Sequence, residues 1–113
     1  MPFAFLLLAA QFDSPPPRPA EIQARAAIDA ASEARRRVLH ALCGDDGRER
    51  RLREADAAFD AARVAYRARF RRTWETPSDT GTRQWECTLP DGFEWTLASY
   101  RNALGAIDAA LAR

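Results

Sequence analysis

His40 and Cys43 stand three residues apart in RRRVLHALCGDDG, a spacing that puts both side chains on one face of a helix. With Cys87 and either Asp45 or Asp46 they supply imidazole, thiolate and carboxylate, the donor types of a zinc site. Structural zinc sites bring a second clear pair of ligands, and the chain offers none, so no metal is assigned. The same residues could form a cysteine nucleophile with a histidine base. Nothing in the sequence marks an oxyanion hole or a group to orient the base, so His40 is read as a capping or surface histidine. Glu86 and Glu94 are a pair of carboxylates flanking Pro90-Asp91-Gly92. Paired acids do general acid/base work only when a cleft shifts one of them, and no groove is implied here. The five glycines are too scattered for a phosphate loop, and no cofactor or catalytic residue is assigned.

Cys43 and Cys87 carry a second chemistry. They are the only cysteines of a small chain, and in an oxidising compartment such a pair suggests one disulfide. In a reducing one they would be small buried hydrophobes.

All 17 basic residues are arginine, and the net charge is +1. Nine arginines fall between Arg48 and Arg72, with Arg63, Arg67 and Arg71 spaced by four along one side of a helix. Such a row could meet phosphates. Glu49, Glu54, Asp56 and Asp60 of the same stretch compete for it, and no helix-turn-helix or single-strand motif accompanies it. Nucleic acid is therefore the less favoured partner.

The elements that position these residues follow from periodicity. Pro19 suits a first helical position, and Ile28, Ala31, Val38 and Leu42 then recur with helical spacing up to Gly44. Arg35 interrupts that stripe. A helix from Ala20 to about Cys43 is predicted. Asp46 and Glu49 form a capping box for a second helix, in which Leu52, Ala55, Phe59, Ala62 and Tyr66 step by three and four. It should end near Glu75, because Pro77 follows Thr76. The short connection makes these two an antiparallel pair, and alanine at many contact positions lets them approach closely. In RQWECTLPDGFEWTL the period changes to two, with a turn at Pro90-Asp91-Gly92, which predicts a β-hairpin near 83–96. A last helix runs from about Leu97 through Tyr100, Leu104, Ile107 and Leu111. The fold expected is mainly α: an antiparallel alanine-rich helix pair, a small β-hairpin and a C-terminal helix, with three helices sharing one core.

Ala65-Tyr66-Arg67 within a helix resembles a stretch of the LprI-type lysozyme-inhibitor domains, but no cysteine follows it within that helix, and Cys87 falls in the predicted hairpin. Ile107-Asp108 resembles helical chorismate mutases without their basic substrate-binding set. The chain is assigned to neither.

Residues 1–11, MPFAFLLLAAQ, read as a signal-like apolar segment with a plausible cleavage site at Leu8-Ala9-Ala10, although no Lys or Arg precedes the run. A short helix packed on the domain and an interfacial anchor are the alternatives. The run is too short to span a bilayer, which takes about 20 apolar residues. Residues 12–19 form a proline-rich linker, and 20–113 one small helical domain. These features favour a periplasmic or secreted location, with a cytoplasmic one as alternative. The function expected is non-enzymatic: binding an unidentified protein partner through Tyr66, Arg67, Phe70, Trp74 and Trp85, since aromatics and arginine dominate interface hot spots. The alternative is a cytosolic helical module that binds nucleic acid or a regulatory partner through the arginine-rich second helix.

Overall fold

A computed structural model describes residues 16–71 and 85–113. The signal-like segment, the first half of the linker, Trp74 and Arg83 lie outside the described residues. Three helices account for most of what is described: α1 (Pro19–Leu39), α2 (Asp46–Phe70) and α3 (Phe93–Leu111). Pro19 begins α1 as its sequence position suggests, and His40 closes it. The cap of α2 is Asp45, one residue before the expected Asp46: its carboxylate accepts the Arg48 N–H at 2.9 Å. Helix α2 stops at Phe70, where Arg71 turns to a left-handed φ of 53°.

The expected β-hairpin is not seen. Among the described residues there is no strand, and Phe93 to Thr96 form the first turn of α3. The burial pattern explains the correction. Phe93, Thr96, Leu97, Tyr100, Leu104 and Ile107 are buried, whereas Glu94 and Trp95 are exposed. That is a period of 3.6 carried back to Phe93, which alternation by two would contradict. Gly92 accepts through its carbonyl both the Thr96 N–H and the Thr96 hydroxyl, at 3.0 and 2.7 Å, which holds the new helix at its start. The Pro90-Asp91 turn does form, closed by the Gly92 N–H on the Leu89 carbonyl, but it opens a helix.

Contacts at the helix ends give the topology. The first turns of α2 and α3 meet through Arg51 and Glu94, and their last turns through Arg69 and the carbonyls of Ala110 and Leu111. Helices α2 and α3 therefore run parallel, and α1 runs antiparallel to both, with Arg113 reaching Gln23 near its start. The closest packing lies between α1 and α3, not within the α1–α2 pair expected from the alanines. Ala24, Ala31 and Ala34 of α1 are buried with Leu97, Leu104 and Ile107 of α3 in one core. Small side chains on α1 let a helix carrying large ones come near.

Arg35, which breaks the apolar stripe of α1, has a specific task. Its Nε and Nη2 donate to the two carboxylate oxygens of Asp56 on α2, at 2.9 and 3.1 Å. The Tyr100 hydroxyl of α3 donates to the same Asp56 at 2.7 Å. One carboxylate thus receives a donor from each of the other two helices. Tyr100 is fully buried, and burial together with the neighbouring Asp56 carboxylate pushes its phenol far above the usual tyrosine range.

Candidate functional site

The chemistry-bearing residues gather at the end of the bundle where α1 gives way to α2. After His40 the chain tucks Ala41 into the core, then passes through left-handed conformations at Cys43 (φ 51°) and Gly44 (φ 71°) before Asp45 caps α2. Glycine adopts such an angle freely, and the cysteine beside it does not. Against this turn lies a strap, residues 85–92. Cys43 and Cys87 stand at disulfide distance, with 4.9 Å between their Cα atoms, and both are exposed.

The strap is fastened by polar contacts as well. The His40 carbonyl accepts from the Thr88 and Leu89 N–H groups, each at 3.1 Å, and its Nδ1 lies 3.0 Å from the Glu86 carbonyl. The Trp85 ring packs edge-on to the imidazole at 5.3 Å. Arg48 reaches back from the first turn of α2 and donates to the carbonyls of Ala41 and Pro90, at 2.7 and 2.9 Å. Its planar fork can bridge two such acceptors.

Beside the strap, the starts of α2 and α3 frame an open cleft of about 310 Å³ lined by Asp45, Arg48, Arg50, Arg51, Phe93 and Glu94. Arg48 and Arg51 flank the Phe93 ring at 5.4 and 5.1 Å. The Arg51–Glu94 hydrogen bond raises the guanidinium above its ordinary value and lowers the Glu94 carboxyl below the usual glutamate range, although both groups face solvent. With Asp91 the lining carries three acids and three arginines, which gives the cleft no dominant sign.

Of the residues expected to bind a partner, the described ones, Tyr66, Arg67, Phe70 and Trp85, do not form one surface. Tyr66 is 1% exposed, a core residue whose hydroxyl lies 3.4 Å from the buried Glu21 carboxylate. Arg67 is exposed. Phe70 is half-buried against Tyr66, with the Arg69 guanidinium over its ring. Trp85 sits at the opposite end beside His40. Residues 21 and 40 mark these two ends, about 28 Å apart along α1.

The other candidate chemistry is taken up in structural contacts. The side chain of His40 engages the strap backbone, the cysteines face each other, and no cluster of three metal-ligating side chains occurs among the described residues. Glu86 and Glu94 are not cross-strand neighbours, because Glu94 belongs to α3 and pairs with Arg51. Of the arginine row, Arg63 pairs with Asp60 and covers Phe59, and Arg71 has left the helix.

Trp95, which a period of two would set on the same face as Phe93, is the residue the sequence reading missed. It is 54% exposed, and its indole lies over Gly92 beside Leu89. Counting back by three and four from Tyr100 to Leu97 and Phe93 would have pointed it outward.

Comparisons with protein-family models, with curated proteins and with solved structures find no match to this chain. No helix among the described residues is long and apolar enough to cross a membrane.

Proposed function

We propose that this chain is a small, non-enzymatic helical protein of the cell envelope or the extracellular space that acts by binding another protein. The observation that carries the reading is Trp95, a large aromatic held in solvent on the first turn of α3. Exposed tryptophan is costly to leave unused and is over-represented where partners anchor. The Leu89-Gly92 turn and the half-buried Trp85 and Leu89 of the strap give it apolar company at that end. Arg67 and Phe70 form a second, smaller candidate surface at the opposite end. Cysteines at disulfide distance support export, since such pairs persist where the surroundings are oxidising.

A nucleic-acid role through α2 has less support. Arg48, Arg51, Arg63 and Arg69, four of the nine arginines between Arg48 and Arg72, are spent on contacts within the protein, which breaks up a continuous row for phosphates. The test is site-specific photo-crosslinking in the native host, with the probe at position 95, at position 67, or at the exposed Ala30 of α1. A discrete protein adduct from 95 that is absent from 30 is expected. Equal adducts from all three positions, or none from 95 and 67, would defeat the proposal.

A further inference from the structure

The paired cysteines lie outside the core. None of the eighteen buried apolar residues among those described is a cysteine, and both Cys43 and Cys87 are exposed. This differs from the arrangement in which a disulfide is sealed by the packing it supports, where a thiol can reach the sulfur only after unfolding. Here an approaching thiolate meets the pair at the surface. The strap that carries Cys87 is meanwhile held by groups that do not involve sulfur: the His40 carbonyl, the His40 ring and the Arg48 guanidinium. Opening the bond removes one fastening and leaves those in place.

We propose that Cys43–Cys87 is a thiol-exchange site of the native protein, opened by external thiols while the three-helix bundle stays folded. The co-reactant is a dithiol. Its thiolate attacks one cysteine sulfur, forming a mixed disulfide as the Cys43–Cys87 bond breaks and the other cysteine departs as a thiolate. The second thiol of the reagent then attacks the mixed disulfide, and the reagent leaves as a cyclic disulfide. The protein gains two electrons and two protons, and the dithiol loses the same. Access to sulfur and the thiolate fraction of the attacking group set the rate, and no unfolding step enters it.

The consequence is local. Among the described residues, the part that loosens is 85–92, whereas the buried faces of α1, α2 and α3 keep their contacts. The exchange site therefore adjoins Trp85, Leu89 and Trp95, so that thiol conditions alter the end of the bundle that bears the exposed tryptophan.

The experiment treats the full-length oxidised protein with millimolar dithiothreitol in the absence of denaturant. Maleimide labelling followed by intact mass counts the thiols, far-UV circular dichroism follows helix content, and hydrogen exchange locates any opening. Two labels per chain, unchanged helicity and faster exchange confined to the strap are expected. A Cys43→Ser/Cys87→Ser variant should match the reduced protein in both helicity and exchange. The inference is overturned if labelling requires denaturant, if helix is lost in step with labelling, or if both thiols are free before reductant is added.

Discussion

Replacing Asp56 by alanine removes the acceptor that α1 and α3 share, and the loss can be worked from the contacts. The Tyr100 hydroxyl belongs to a fully buried residue and donates to a carboxylate at 2.7 Å. A hydrogen bond to a charged group contributes about 1.5–3 kcal/mol, and the orphaned hydroxyl would keep its desolvation cost. The Arg35–Asp56 pair has both side chains 24% exposed. Solvent screening holds such a pair to about 0.2–1 kcal/mol. Asp56→Ala should therefore lose about 2–4 kcal/mol, and Tyr100→Phe about 1.5–3. Because both remove the same hydrogen bond, the double variant should be little worse than Asp56→Ala, giving a coupling close to the Tyr100→Phe loss, about 1.5–3 kcal/mol. Urea unfolding followed by circular dichroism measures all three variants. Loss of less than about 0.5 kcal/mol in Asp56→Ala, with additive single effects, would refute the shared-acceptor account. The same hydroxyl predicts an alkaline limit. Tyrosine in the unfolded chain ionises near pH 10, whereas the raised phenol of Tyr100 keeps its proton in the fold. Above that pH the unfolded chain binds fewer protons than the native one, so stability falls as pH rises, by about 1.4 kcal/mol per unit for this group. Tyr100→Phe should remove that share of the slope.

Three further outcomes are expected. Phe93→Ala should cost about 3–5 kcal/mol and Trp95→Ala within about 0.5, because one is buried and the other exposed; equal costs in urea unfolding would restore the hairpin register. In NMR titration the Glu94 carboxyl should titrate below the usual glutamate range, and Arg51→Ala should return it there; an unchanged midpoint would remove the pair from solution. Replacing both cysteines by serine opens a loop set by a separation of 44 residues, for which the chain-entropy model gives about 4 kcal/mol. The double variant should thus unfold at clearly lower urea while keeping its native far-UV spectrum, and an unchanged midpoint would show that the pair is not closed.

The three helices were legible because each buries a stripe whose spacing has no rival reading over its length. Leu52, Ala55, Phe59, Ala62 and Tyr66 fit only a helix, and all five are buried. The Trp85–Thr96 stretch is different. Over so short a run, Trp-x-Cys-x-Leu and Phe-x-Trp satisfy a period of two, while Phe93, Thr96 and Leu97 satisfy 3.6 equally well. What decides is tertiary: the Leu97–Ile107 stripe already commits α3 to the core, and extending it by one turn buries Phe93 at no cost in new loop. Which pair of helices packs closest was likewise hidden, since alanine on α1 permits close approach by either neighbour and does not choose between them.

The candidate site was harder to read for a related reason. An aromatic on a helix serves either the core or the surface according to its azimuth, and the sequence fixes azimuth only relative to a face already known. Tyr66 follows the Leu52-to-Ala62 stripe, so its azimuth was available and placed it inside. Hot-spot composition was the weaker argument there, and it assigned a core residue to an interface. Arg35 shows the opposite case. A charge on an apolar stripe signals a partner across the core, but the identity of that partner depends on the rotation of α2, which brings Asp56 within reach. Trp85 and Phe70 could not be joined or separated from sequence, because that requires knowing that α2 and α3 run parallel. The contacts of Arg51 with Glu94 and of Arg69 with Ala110 establish this, and they put the two aromatics at opposite ends. Any partner that engages both must therefore lie along the whole bundle, whereas one that engages Trp95 needs only the end that carries the strap.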